Sequence, residues 1–240
     1  MSKQDENIFR APVWYPNLAA FTFPTMFVKL TQPEISLLAH GVSSGNQVRD
    51  ILKRLRLPMH MLPGNCFAFV DTVAPTDTSR FRDKHGAVHS PQSAWKYLAR
   101  SLKVREAAAA GKVEYVCLRP FRRMNNTREF RLFIYKGELK AMSQYNLVRH
   151  FRRLEGMKKD YWKLAQKFMD EAGWLLPCHN LVVDIYITSD NQVLVIDLNP
   201  WGNGTDPKMM NTWDRDWEEE TGVVLMPPPT RINGDVNVSF

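Results

Sequence analysis

Two short apolar runs, Leu181 to Thr188 and Val193 to Asn199, each carry one aspartate, Asp184 in the first and Asp197 in the second. Only Ser189, Asp190, Asn191 and Gln192 separate them. Asp-Asn at the centre suits a two-residue primed turn, because both residues tolerate positive φ. Such a turn sets Ser189 opposite Gln192, Asp184 opposite Asp197 and Val182 opposite Asn199. Alternation then gathers Val182, Asp184, Tyr186, Val195, Asp197 and Asn199 on one face. The other face, Val183, Ile185, Ile187, Leu194, Ile196 and Leu198, is continuous core. Like charges directly opposite on a sheet, with Cβ atoms roughly 5 Å apart, destabilise it. A divalent cation turns that repulsion into attraction. Two carboxylates and an amide oxygen suit Mg²⁺, a hard ion that also takes substrate phosphates. Asp184, Asp197 and Asn199 are therefore candidate metal ligands; the alternative is a solvated hairpin face where two acids meet.

The chain of 240 residues is long enough for one large domain or two small lobes. Its 44% apolar and 24% charged residues are ordinary for a globular protein. No run approaches the roughly 20 apolar residues of a membrane span. Met1 to Glu6 is polar and acidic, so no secretory signal is expected there. Cys66, Cys117 and Cys178 are widely spaced and form no zinc or redox motif, which predicts reduced thiols in a cytoplasmic protein. The net charge of +7 hints at a polyanionic partner such as nucleic acid, although charge alone speaks to association and not to fold.

Phe21 to Leu30 reads as a β-rich run. Asn46 to Leu57 carries Val48, Ile51, Leu52 and Leu55 at helical spacing, ended by Pro58. Cys66 to Val70 is a short buried strand, and Asp71 to His89 a long irregular loop of the kind that is functional or disordered. Ser90 caps a helix with Pro91 at its first position and an apolar stripe of Ala94, Trp95, Leu98 and Leu102. Trp14 and Trp95 are expected in the core. A short helical turn at Ala107 to Ala110 and a strand at Val113 to Leu118 lead into a basic connection, Arg119 to Arg128. A second hairpin follows, Glu129 to Tyr135 and Glu138 to Tyr145, turning at Lys136-Gly137. Its register sets Glu129 opposite Gln144, Arg131 opposite Met142 and Phe133 opposite Lys140, so that Glu129, Arg131, Lys140 and Gln144 share a face. Tyr161 to Gly173 is the best helix, with a basic stretch from Arg149 to Lys167 around it. Thr205 and Asp206 can cap a helix beginning at Pro207. The tail Pro227 to Phe240 is expected to be extended.

Two antiparallel hairpins plus helices define an α+β chain. The divisions expected are an N-terminal lobe 1–118, a C-terminal lobe 119–226 and the tail 227–240. One hairpin offers cations, Arg131 and Lys140, and the other anions. Cations for phosphate oxygens beside carboxylates for Mg²⁺ form the constellation of a nucleoside triphosphate site. No glycine-rich Walker loop and no kinase signature set accompany it.

The run Asp197-Leu198-Asn199-Pro200, with an aspartate on the preceding strand, resembles the metal-binding end of ATP-grasp proteins, and Glu129-Phe130-Arg131 resembles their acid-x-arginine element. More closely, the chain resembles the cell division cycle protein 123 family. Trp14-Tyr15-Pro16, Ala74-Pro75-Thr76-Asp77, Leu118-Arg119, Glu129 to Arg131, Ser143-Gln144, Asp184-Ile185-Tyr186, Asp197 to Pro200, Thr205-Asp206 and Trp213 follow that family's order from about residue 10 to 217. Two departures stand out. Phe69 occupies the place of a basic residue before the Pro-Asp loop, and Tyr145 follows Ser-Gln where the family often has arginine.

The resemblance implies an ATP-grasp fold, two lobes with antiparallel sheets enclosing a nucleotide cleft that holds ATP and Mg²⁺. It implies adenine beside Leu118, Arg119, Pro120 and Phe121, phosphates on Arg131 and Lys140, and Mg²⁺ on Asp184, Asp197 and Asn199. Glu129 and Gln144 would position ribose or order Arg131. In the family the implied role is a cytoplasmic ATP-dependent assembly chaperone for the heterotrimeric translation initiation factor two, through its gamma subunit. In ATP-grasp enzymes generally it is ligation through an acyl phosphate. A nucleic-acid end-modifying enzyme acting on a polyanionic substrate is a third alternative, resting on charge alone. The residues leave binding and turnover of ATP equally open.

Overall fold

The computed structural model describes residues 7–229. The expectations for Met1 to Glu6 and for residues 230–240 of the tail lie outside the described residues. The chain divides into two compact units. The first runs to Met124 and takes in Leu175–Pro177 and Leu194–Leu198; the second comprises Asn125–Trp174, Cys178–Val193 and the chain from Asn199 on.

The first unit is built on a sheet of β1 (Met26–Lys29), β2 (Cys66–Val70), β3 (Ala87–Val88) and β4 (Tyr115–Pro120), in the order β1-β4-β2-β3. Its strands pair antiparallel, β1 with β4, β4 with β2 and β2 with β3. Helix α1 is Ala11–Leu18, and α2 (Gln32–Ala39) starts on a reciprocal Thr31–Glu34 cap. Helix α3, Arg49–Met61, runs three residues past Pro58 instead of ending there, burying Ile51, Leu55 and Met59. The expected loop Asp71 to His89 contains a short helix, α4 (Ser79–Lys84), and β3. Ser90 and Ser93 cap each other at the start of α5 (Pro91–Ala99), as the Ser-Pro signal predicts. Leu102 does not join its stripe: it opens α6 (Leu102–Ala109) and is exposed. Leu38, Ile51, Leu55, Ala68, Val70, Trp95, Leu98, Val116 and Leu118 form the core, and Trp14 is buried as well. The strand expected to stop at Leu118 continues to Pro120, because Arg119 and Pro120 still pair with Phe67 and Cys66.

The second sheet has the order β8-β7-β5-β6-β9, from β5 (Glu129–Tyr135), β6 (Glu138–Gln144), β7 (Leu181–Ile187), β8 (Val193–Pro200) and β9 (Gly222–Val224). Helix α7, Arg152–Ala172, buries Leu154, Tyr161, Ala165, Phe168 and Ala172 and starts nine residues before the expected helix. Its Tyr161 ring meets Phe130 edge-on at 5.2 Å. Under the opposite face of β5, Phe133 packs among Trp201, Trp213 and Trp217. The helix expected after Pro207 is a single 3₁₀ turn, Lys208–Met210.

Both hairpin registers differ from expectation. Lys136 and Gly137 have positive φ and make the predicted two-residue turn, with Tyr135 opposite Glu138. A register shift between Phe133 and Ile134 leaves Lys140 as the extra residue, and every pair beyond moves by one. Arg131 therefore faces Ser143, not Met142, and Gln144 faces Phe130, not Glu129. In the acidic hairpin the Thr188 amide donates to Gln192 O and the Asn191 amide to Thr188 O. The loop is thus three residues, Ser189 to Asn191, with Asn191 alone at positive φ, 61°. The turn that placed Asp184 opposite Asp197 is not made. Along β8 the buried residues Val195 and Leu198 are three apart instead of two, which marks where the alternation breaks.

Candidate functional site

In the second unit, Asp184 lies directly opposite Arg131 on neighbouring strands. The pair is bidentate, Nε to Oδ1 at 2.7 Å and Nη2 to Oδ2 at 2.8 Å, and both residues are buried. Arg131 Nη1 donates to Asp206 O at 2.6 Å. The Asn199 amide donates through Nδ2 to Asp184 Oδ2 at 3.1 Å, leaving its Oδ1 for a cation. The repulsion expected at Asp184 is therefore answered by a guanidinium, which the sequence reading had placed on a different task. Burial pushes the Arg131 pKa down, but the hydrogen bonds and charge of Asp184 outweigh it and leave it raised.

The register shift decides what surrounds this pair. Ser143 and Tyr145 take the positions expected for Met142 and Gln144. Ser143 Oγ accepts from the Met209 amide at 3.1 Å, tying down the loop that carries Asp206 and Lys208. The Tyr145 ring lies 5.4 Å from the Arg131 guanidinium carbon and 4.5 Å from Lys208 Nζ. Lys208 also pairs with Asp206 at 3.0 Å. Burial raises the Asp206 carboxyl, but the Lys208 amide and ammonium outweigh it and hold it low. Lys208 has φ 54° and Asn211 φ 64°, strained positions for residues other than glycine. Lys208 was missed in the sequence because nothing in its spacing marks it. The half-buried Glu129 carboxyl is raised, by burial first and by the charge of Asp184, against the opposing influence of the nearby Asn146 side chain.

Lys140 and Gln144 are not brought to Arg131. Lys140 Nζ binds Glu138 at 2.7 Å and Glu218 O at 2.8 Å. Gln144 holds Asn146 O, Arg149 O and the Met226 amide. The expectation that both share a face with Arg131 is corrected by the extra residue in β6.

In the first unit, Leu118 to Phe121 is not a free connection. Leu118 pairs with both Met26 and Ala68, and the Phe121 amide donates to Asn65 O. Strand β1 begins at Met26, opposite Leu118, so beyond Leu118 only β2 flanks β4. Arg119 is buried, its guanidinium 4.3 Å from the Phe69 ring and 6.0 Å from Phe23. Nη1 donates to Ile196 O at 3.0 Å, and Nε has no partner among the described residues. Burial lowers the Arg119 pKa, and the charge of Asp197 works against that. Phe69, where a cation was expected, is thus the platform for one.

Among the described residues no three Asp, Glu, His or Cys side chains gather as a metal-binding group. Within the second unit Asn199 has its amide oxygen to give to a hard cation, and Asp184 would share an oxygen with Arg131.

A mixed α+β protein with two antiparallel-rich sheets and a buried Arg-Asp pair joined by Asn199 is the class these features define. The chain belongs to the D123 family, whose model matches residues 93–221. It is 26% identical over 207 residues to cell division cycle protein 123 of Candida glabrata, covering 78% of this chain and 57% of that protein. It is 31% identical over 93 residues to the translation initiation factor eIF2 assembly protein of Xenopus tropicalis, covering 37% of this chain and 28% of that one. The matched stretches thus span little more than half of these relatives, or less. The structure of Cdc123 from Schizosaccharomyces pombe superposes with a TM-score of 0.81 at 18% identity, over 95% of this chain and 98% of that one. The resemblance to the family and the α+β fold are borne out.

Proposed function

We propose that the chain binds Mg-ATP and acts in the cytoplasm as an ATP-dependent assembly factor for a translation initiation factor. The observation that carries the reading is the Arg131–Asp184–Asn199 constellation, which lies inside the segment matched by the family. The partner is taken from the relatives, one of which is a translation initiation factor eIF2 assembly protein. ATP-grasp character and the nucleotide itself rest on the sequence resemblance.

In this reading Asp197 and Asn199, with Asp184, hold Mg²⁺, which neutralises phosphate charge when bound. Asp184 and Asp206 O hold Arg131 rigid, so little is lost in ordering it against a phosphate. Lys208, stacked on Tyr145, supplies the second cation in place of Lys140. The backbone of Arg119 and Pro120, flanked by β2 alone, offers the edge for adenine.

The test is thermal unfolding with Mg-ATP. A ligand at a hundredfold excess over its Kd stabilises by about 2.7 kcal/mol. Wild type should show a rise in Tm that the Asp197→Asn/Asn199→Ala variant lacks. Equal rises in both sink the reading. Product analysis then separates roles: intact ATP fits assembly, whereas ADP with phosphate fits ligation. Co-elution with the gamma subunit of the factor, dependent on Mg-ATP, tests the partner.

A further inference from the structure

A second polar pocket lies wholly within the first unit, and the nucleotide reading does not use it. It is a cavity of about 490 Å³ where α4, α5 and the start of α6 meet. Ser93, Lys96, Tyr97 and Arg100 line it at spacings of three and four, so they share one face of α5 and its C-terminal cap. Arg80 and the Ser79 hydroxyl close it from α4.

The charge is one-sided. Among the described residues, Lys96 and Arg100 have no ion-pair partner, and Arg80 donates only to Ala87 O, at 2.6 Å. Like charges four apart on a helix repel. The one acid in the lining, Asp77, is committed elsewhere: it accepts from the Ser101 hydroxyl at 2.6 Å and from the Leu102 and Lys103 amides at 2.7 and 3.3 Å. It thereby caps α6 and does not neutralise the cations.

The dipole of α5 favours Lys96 and Arg100 near its end, but it does not account for Arg80, which reaches the same cavity from α4. Tyr97 walls the cavity: it is 2% exposed, and its hydroxyl lies against Thr78 and Gly86. The Thr78 hydroxyl donates to Pro75 O and accepts from the Phe81 amide.

We infer that this pocket binds a small phosphate-bearing ligand, with Lys96, Arg100 and Arg80 meeting its charge. The volume is in the range of small-molecule sites, and the lining of cations and hydroxyls matches oxyanion chemistry. The inference is independent of the Mg-ATP reading.

The probe is inorganic pyrophosphate, titrated calorimetrically into the full chain with EDTA present. Wild type should bind saturably, Lys96→Gln/Arg100→Gln at least tenfold more weakly, and Arg80→Gln several-fold more weakly. Lys208→Gln should leave the titration unchanged. The inference is overturned if wild type gives no saturable heat, or if the double variant binds within twofold of wild type. It is overturned equally if Lys208→Gln abolishes the titration, which would assign pyrophosphate to the proposed nucleotide residues. Should the double variant fail to fold by circular dichroism, Arg100→Gln alone carries the same comparison.

Discussion

At the scale of single residues, Asp184 is first a counter-charge. Its two oxygens are held by Arg131 in a buried pair, and each side chain would be stranded without the other. Asp184→Asn leaves a buried guanidinium half-answered, which costs about 3–5 kcal/mol when a buried pair is broken. Urea unfolding should show that loss, and the double variant Arg131→Met/Asp184→Leu should recover much of it. A cost below about 1 kcal/mol for Asp184→Asn would show that the pair is not what orders this part of the sheet. Glu129 yields a pH prediction. Its raised carboxyl means that the folded chain holds the proton more tightly than the unfolded one. Its contribution to stability is therefore complete below the ordinary value of 4.5 and lost as pH rises through the folded value. Glu129→Gln removes that loss, so its Tm should gain on wild type between pH 4 and pH 7. A difference that stays flat across this range would show the carboxyl to be solvated.

At the scale of elements, the turns decide which side chains meet. Asn191 supplies the positive φ that lets a three-residue loop close β7 onto β8. Left-handed backbone costs a residue with a Cβ roughly 1–2 kcal/mol, less for asparagine and nothing for glycine. Asn191→Ala should therefore lose about 1 kcal/mol in urea unfolding while Asn191→Gly stays close to wild type; equal effects would mean that the loop relaxes into another conformation. This loop also shows what the sequence could and could not disclose. Alternating apolar residues made both hairpins and the core residues of β5 and β7 legible, and Trp14 and Trp95 are buried as expected; on β8, Leu194 and Ile196, expected in the core, are half-buried, and Val195, expected on the acidic face, is buried. The Asp-Asn pair fitted a two-residue turn, and only the Thr188–Gln192 pairing distinguishes the longer one. The extra residue in β6 left one visible inconsistency: the expected register set apolar Met142 against charged Arg131. That mismatch was the only local sign of the shift that brings Ser143 and Tyr145 to the site. Lys208 had no sign at all, since its position follows from the loop fixed by Ser143 Oγ and not from any periodicity. Pro58 misled because a proline late in a helix loses one bond, and Met59, buried against the core, outweighs it.

At the scale of the whole molecule, the net charge of +7 has to be reconciled with the proposed assembly role. The basic stretch that hinted at nucleic acid is largely α7, where six cations alternate with four acids along the helix. Lys158 pairs with Glu155 at 2.9 Å and Lys167 with Glu171 at 3.6 Å, so part of that charge is answered within the helix itself. Its buried stripe packs inward, and what faces outward is a mixed polar surface rather than a continuous basic track. Such a surface attracts polyanions through counterion release and little else. A protein making 6–10 phosphate contacts loses about 10³–10⁵ in affinity between 50 and 200 mM salt. Single-stranded RNA should therefore bind weakly at 50 mM salt and be undetectable by fluorescence anisotropy at 200 mM, with no dependence on Mg-ATP. The initiation-factor subunit should still co-elute at 200 mM, since apolar contact is not screened by salt. RNA binding that survives 200 mM salt while the protein partner is lost would reverse the assignment and make the polyanion the true ligand of the charged surface.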